Sequence, residues 1–353
     1  MRIPGIDSLR GLAALSVCLY HFVCTTTGYI QSADTTEAFH WGQKGVQVFF
    51  VLSGIVIPLA LLRANFSFAH IHVFLAKRFT RIALPFWAAV LITTAYLLVR
   101  NWVQGNNPDF LVPDAVNIFT NAFWLVPFAP HSHWLNPVFW TLAIEMQYYI
   151  MLALLFPLVM QPRIKYRALF FVLLVLMPFI LSSKSFFLHW APYFGLGIAW
   201  IIFQYKKITR FEYIAYTLMC ALVVFHAQGF TDLCVGVGTV MLINFFGRKR
   251  TPATEWLGEI SYSLYLVHTA TGSAIINLLS HQFTTPLQKA LVIFCRIGVQ
   301  SYECLGHVYA GRKTGYETGA THWPQQTKHY AQTERRNRTC TPRIGRSGLS
   351  YFE

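Results

Sequence analysis

The sequence predicts an all-α integral membrane protein, a polytopic helix bundle of about nine to ten spans with its N-terminus in the cytoplasm. Three observations predict it. Of 353 residues, 55% are hydrophobic and only 12% are charged, half the roughly 25% charged share of a soluble domain. The apolar residues gather in runs approaching the ~20 residues a helix needs to cross a bilayer. The basic residues sit in short clusters between those runs, as in cytoplasmic loops.

The runs follow one another at 11–30, 45–62, 82–99, 138–160, 168–183, 191–205, 212–227, 233–247 and 259–279, with an incomplete run at 287–299. Arg2 and Arg10 precede the first run. Arg63, Lys77, Arg78 and Arg81 follow the second, Arg163, Lys165 and Arg167 follow 138–160, Lys206, Lys207 and Arg210 follow 191–205, and Arg248, Lys249 and Arg250 follow 233–247. With the N-terminus inside, every cluster falls inside. The apolar stretch 115–128 is short, and if it crossed alone the Arg163–Arg167 cluster would move outside. Residues 100–137 are therefore expected to form an outer loop with a short interfacial or re-entrant helix. Its Trp102, Trp124 and Trp134 suit the interface.

Other classes are excluded on similar grounds. A net charge of +14 invites a nucleic-acid partner, but basic clusters spaced by apolar runs are loop anchors. The seven cysteines show no CxxC pair, so no metal site is expected. The entry to the first run carries Asp7 beside its basic residues, and no clear small-x-small site follows the run, so a cleaved signal is not expected. Two segments result: 1–295, a membrane domain, and 296–353, a basic stretch with no run long enough to span. In the latter, nine Lys or Arg face four Glu and hydrophobic periodicity is absent, which predicts disorder. It reads as a basic cytoplasmic tail or as a shifted reading frame after about Phe294, and the abruptness of the change favours the second.

"RIPGIDSLRGLAALSVCLYHF" places His21 deep in the first run. Eleven residues carry a helix about 20° past three whole turns, so Arg10 and His21 share a face, roughly 16 Å apart along the axis. Asp7 lies on about the same side, where an i,i+3 pair can form. An ionisable side chain in a span marks a cavity or pathway, and a neutral imidazole there is a base for a hydroxyl proton. The bland alternative is an interhelical hydrogen bond, which applies equally to His268. Glu145, between Trp140 and Tyr148–Tyr149, either orients His21, binds acceptor hydroxyls or makes a structural bond. Ser53–Gly54 allows close helix or ligand approach. His131 and His133 in the outer loop either meet an acceptor or are plain loop residues.

Five ordered motifs resemble the acyltransferase 3 family of integral membrane O-acyltransferases: "IDSLRGLAALSVCLYHF", "GVQVFFVLSGIVI", "KRFTRIALPFW", "FWTLAIEMQYYI" and "GEISYSLYLVH". The resemblance covers about residues 1–290. It implies transfer of an acyl group, often acetyl, from acyl-coenzyme A to a hydroxyl of a carbohydrate or cell-surface glycan. It implies a catalytic role for His21 and donor binding by Arg10, Arg78 and Arg81. It points also to Trp140, Glu145, Tyr149 and His268 as motif positions, and to a bacterial inner membrane. No permanently bound cofactor is expected; acyl-coenzyme A is a co-substrate. Arginine suits its phosphates, being always charged and bidentate. The competing readings are a multispan carrier, for which no inverted repeat is visible, and an inactive relative truncated at its C-terminus.

Overall fold

Among the described residues, each apolar run of the sequence falls mainly in helix. The computed structural model describes residues 3–26, 29–103, 105, 112–247, 252–279, 282–283, 285, 288–293 and 295–301, and among them there is no strand. The helices are α1 (Pro4–Tyr20), α2 (Ala33–His40), α3 (Gly45–Arg63), α4 (Ile71–Val103), α5 (Ala115–Ala122), α6 (Phe139–Val159), α7 (Ile164–Ile180), α8 (Phe187–Gln204), α9 (Arg210–Gln228), α10 (Phe230–Phe246), α11 (Pro252–Val267) and α12 (Ala274–Leu279). Among the described residues, five stretches are long and apolar enough to cross a bilayer: Gly5–Thr25, Ala33–Arg63, Phe68–Val103, Phe139–Val159 and Arg210–Gln228. The outward face of the last of these is apolar. In α9, Phe211, Ile214, Leu218, Leu222 and Phe225 are exposed at helical spacing, a stripe that suits lipid rather than water.

Three boundaries differ from expectation. α1 starts at Pro4, seven residues before the apolar run, because proline is favourable in a first helical turn; Asp7 and Arg10 are thus inside the helix. α4 starts at Ile71 rather than 82, since Phe74, Leu75 and Phe79 pack against the core between the cations Lys77, Arg78 and Arg81. The polar helix α2, invisible to hydropathy, is capped by Ser32, whose hydroxyl accepts from Thr35 N at 3.3 Å. In the expected outer loop, α5 is a short helix capped by Asp114, followed by a 3-10 turn at Val126–Phe128.

α1 and α11 run parallel, as three successive contacts show. Ser8 Oγ donates to Thr254 Oγ1 at 2.8 Å. A methyl on Gly11 would strike the backbone of Leu257 and Gly258. Farther along, the rings of His21 and His268 lie 5.1 Å apart. The two glycines let the helix backbones touch, the small-residue approach of membrane helices. α3 and α8 meet in the same way, with Gly54 against the Phe194 carbonyl and Gly197 against Val51 and Gly54.

Two other contacts fix the ends of the bundle. At one end, Arg167 of α7 and Glu212 of α9 form a buried ion pair at 2.5 Å, and Arg167 also donates to the Pro162 carbonyl at 2.9 Å. At the other end, Lys44 before α3 pairs with Asp232 of α10 at 2.6 Å. Ile293 joins a small core with Cys18, Phe22, Ile260 and Ile276. Residues 295–301, where the sequence reads as the start of the tail, are helical, and Gln300 Nε2 donates to Thr271 Oγ1 at 3.1 Å. The rest of the expected tail, from 302 to 353, lies outside the described residues, as do Arg2, Arg248, Lys249 and Arg250.

Candidate active site

Five helices converge on a cavity of about 150 Å³. α1 contributes Arg10. α3 contributes Ser53 and the apolar wall Phe49, Phe50 and Leu52. α4 contributes Arg78 and Arg81, α6 contributes Thr141, Glu145 and Tyr149, and α11 contributes Ser261, Tyr262 and Tyr265. Six of the ten residues singled out from the sequence therefore meet in one place: Arg10, Ser53, Arg78, Arg81, Glu145 and Tyr149.

Inside it, the carboxylate is spoken for. Tyr149 Oη donates to Glu145 Oε1, an i,i+4 bond along α6. The Arg78 guanidinium stands 5.9 Å from the Tyr149 ring centroid and 5.7 Å from that of Phe74, within cation–π range. The ion pairs Lys44–Asp232 and Arg167–Glu212 lie elsewhere. The cavity presents three guanidiniums against one carboxylate. Glu145 sits with the arginines, and its bond goes to Tyr149 rather than to an imidazole.

The histidines lie beyond the cavity wall. Tyr265 lines the cavity and donates to Thr141 Oγ1 at 2.9 Å, since that threonine's own proton goes to the Val138 carbonyl. Its ring centroid is 6.0 Å from that of His268, and His268 in turn faces His21. Each histidine opens a π-helical turn, His21–Thr25 after α1 and His268–Ser273 after α11. Such single turns recur at functional sites. The two turns touch, with Thr26 Oγ1 donating to Ser273 Oγ at 3.3 Å.

Hydrogen bonds favour one tautomer for each ring. Thr25 Oγ1 gives its proton to the His21 carbonyl at 2.9 Å, so it accepts from His21 Nδ1 at 3.1 Å. His21 Nε2 then carries the lone pair. His268 Nδ1 lies 2.8 Å from the Tyr265 carbonyl and 3.2 Å from that of Leu264, both acceptors, so it is the protonated nitrogen. His268 is fully buried and its Nε2 has no partner among the described residues. Two imidazoles thus present unprotonated Nε2 atoms in one neighbourhood.

The remaining candidates have other surroundings. Trp140 is outside the cavity and packs against Phe50 and Trp190. Asp7 is outside it too, and its backbone takes the close contact with Gly258. His133 Nε2 accepts from Asn117 Nδ2 at 2.9 Å, holding the outer loop to α5. Tyr262, Tyr265, Thr141 and Thr25 were not singled out by sequence, although Tyr262 and Tyr265 stand in the quoted "SYSLYLVH". Among the described residues, no group of three or more metal-ligating side chains exists.

A family model described as "Acyltransferase domain" matches residues 3–299. The chain is 32% identical over 170 residues to the protein named "Putative peptidoglycan O-acetyltransferase YrhL" of Bacillus subtilis, covering 42% of this chain and 23% of that one. It is 28% identical over 191 residues to "O-acetyltransferase OatA" of Staphylococcus aureus, covering 49% of this chain and 28% of that one. The matched part is thus about a quarter of the length of these relatives. No solved structure is matched.

Proposed function

The chain belongs to the acyltransferase family whose domain model it matches over residues 3–299, and we propose that it moves an acetyl group from acyl-coenzyme A to a hydroxyl of a cell-wall or surface glycan, with His21 as general base. The observation that supports this most is the gathering of Arg10, Arg78 and Arg81 in one cavity whose far wall, Tyr265, leads to the histidine pair. The coenzyme's phosphates match three guanidiniums in charge and geometry. The relatives named as O-acetyltransferases point to acetyl and, for one, to peptidoglycan.

The chemistry follows from the tautomer. His21 Nε2 takes the proton of the acceptor hydroxyl as its oxygen forms a bond to the thioester carbonyl carbon. Thr25 holds Nδ1–H and with it the ring. Collapse of the tetrahedral intermediate breaks the carbon–sulfur bond, and the leaving thiolate takes up the proton from His21. Ser53 Oγ, on the cavity wall, donates to the developing oxyanion. In this reading the chain crosses a bacterial inner membrane nine to ten times, with its N-terminus and the Arg163–Arg167 cluster in the cytoplasm.

The test is coenzyme A release by membranes carrying this chain, offered acetyl-coenzyme A and a glycan, against His21→Ala. Release that requires His21 supports the assignment. Equal release by both removes His21 as the base, and no release from inserted, folded protein removes the acyltransferase reading.

A further inference from the structure

A second, larger cavity of about 810 Å³ opens at the other end of α1. Its wall comes from segments distant in sequence: Cys24 of the first π turn, Thr36, Glu37 and His40 of α2, Trp41, Gln43 and Lys44 before α3, and Gln228 to Asp232 at the α9–α10 junction. Gly229, at φ 96°, makes the tight reversal that brings Gln228 and Asp232 onto one wall, a conformation L side chains rarely adopt.

The cavity's charge is balanced on its inner wall. Lys44 is bound to Asp232, which also accepts from Gln47 Nε2 at 3.0 Å and Tyr193 Oη at 3.1 Å. Among the described residues, the lining holds no Lys or Arg besides Lys44 to take a phosphate or an anionic lipid head. What remains is a carboxylate, Glu37, an amide, Gln43, whose Nε2 faces His40 Nδ1 at 3.0 Å, and an aromatic plate, Trp41, 61% exposed. Planar carboxylate and amide groups bond adjacent hydroxyls, and an indole face covers the apolar face of a ring. That set suits a neutral polyol.

The cavity is linked to the histidine pair through Tyr20. Cys24 is three residues past His21. The His40 ring lies 5.6 Å from Tyr20, and Tyr20 lies 5.1 Å from His21. Tyr265, His268, His21, Tyr20 and His40 form a continuous row of rings from the arginine cavity to this one.

We propose that the second cavity is the acceptor site: a neutral glycan ring stacks on Trp41, bonds Glu37 and Gln43, and presents one hydroxyl toward His21 from the end opposite the arginines. This rests on the acyltransferase reading for its purpose but not for its binding. An exposed tryptophan at the end of a membrane helix is otherwise an interfacial anchor, and the experiment separates the two.

The probe is a β-1,4-linked N-acetylglucosamine tetramer, offered without acyl donor to the full chain in lipid nanodiscs. Saturation-transfer NMR reads binding directly. The expected result is transfer to the sugar from the unaltered protein, at least tenfold weaker affinity for Trp41→Ala and for Glu37→Gln, and affinity within about threefold for Trp41→Phe. Trp41 and Glu37 are exposed, so the melting temperature reports that the variants fold. Equal affinity in Trp41→Ala and the unaltered chain, or no transfer from any of them, overturns the acceptor site and leaves Trp41 as an anchor. Binding that follows this pattern while coenzyme A release fails would remove the catalytic reading and keep the glycan site.

Discussion

His21 and His268 face each other at 5.1 Å between ring centroids, each as the first residue of a π-helical turn. The pairing follows from register. Gly11 and Gly258 touch, the two helices run parallel, and each histidine comes ten residues after its glycine. The same rise carries both to one height. A shift of one residue in either helix would turn a ring by about 100° and separate the pair.

Removing the proposed base is the most direct prediction. His21→Ala is expected to lower acetyl transfer by about 10²- to 10⁴-fold, the usual contribution of a general base. Transfer is measured as coenzyme A release in membranes with equal amounts of inserted protein. A loss below threefold would contradict the role.

Thr25 allows a finer test of the tautomer. Thr25→Val keeps the shape and removes the acceptor for His21 Nδ1–H, so kcat is expected to fall about tenfold with the KM for acetyl-coenzyme A little changed. Thr25→Ser restores the oxygen and is expected to restore kcat. If Ser and Val behave alike, the bond to Nδ1 is not what holds the ring.

The arginines make a different prediction. Arg78→Ala or Arg81→Ala removes a charge-assisted bond worth about 1.5–3 kcal/mol, so the KM for acetyl-coenzyme A is expected to rise roughly ten- to a hundredfold. Lysine is expected to rescue Arg78 only in part, since it lacks the planar fork and the stack on Tyr149. Titration of binding with coenzyme A itself, whose thiol carries no acyl group, separates affinity from chemistry.

Stability is expected to rest on different residues. Glu212→Ala leaves Arg167 buried without its carboxylate, a loss of about 3–5 kcal/mol, read by denaturation in detergent. Arg167→Met with Glu212→Leu is expected to recover most of it. Gly54→Leu should abolish folded protein, because the new side chain meets the Phe194 backbone. Gly238→Ala, with nothing within 4 Å, should behave as the unaltered chain in size-exclusion profiles.

Much of this site was legible in the sequence, for a simple reason. Charged side chains among apolar ones stand out, so Arg10, Arg78, Arg81 and Glu145 were identifiable before their convergence was seen. What hid were residues whose meaning is positional. Tyr262 and Tyr265 read as ordinary aromatic residues of a span until α11 turns them into the cavity. Thr25 matters only because the helix widens at His21. The polar helix α2 carries no hydropathy signal, and its cavity is completed by residues some 190 positions away, such as Gln228. The equal spacing of Gly11–His21 and Gly258–His268 was present in the sequence as a repeated interval, and would have predicted the histidine pair.

The cluster of Arg10, Arg78 and Arg81 has one further consequence. Like charges held together at low dielectric repel, and the fold must oppose that repulsion with packing made elsewhere. Glu145 offsets part of that charge, and the remainder favours an anion from outside the chain. An anion bridging the guanidiniums would then act as a structural brace, tightening α1 against α4 while it is held. Each departure of that anion would slacken the wall it had braced, so that its binding and release would be felt by the bundle as a change in stiffness.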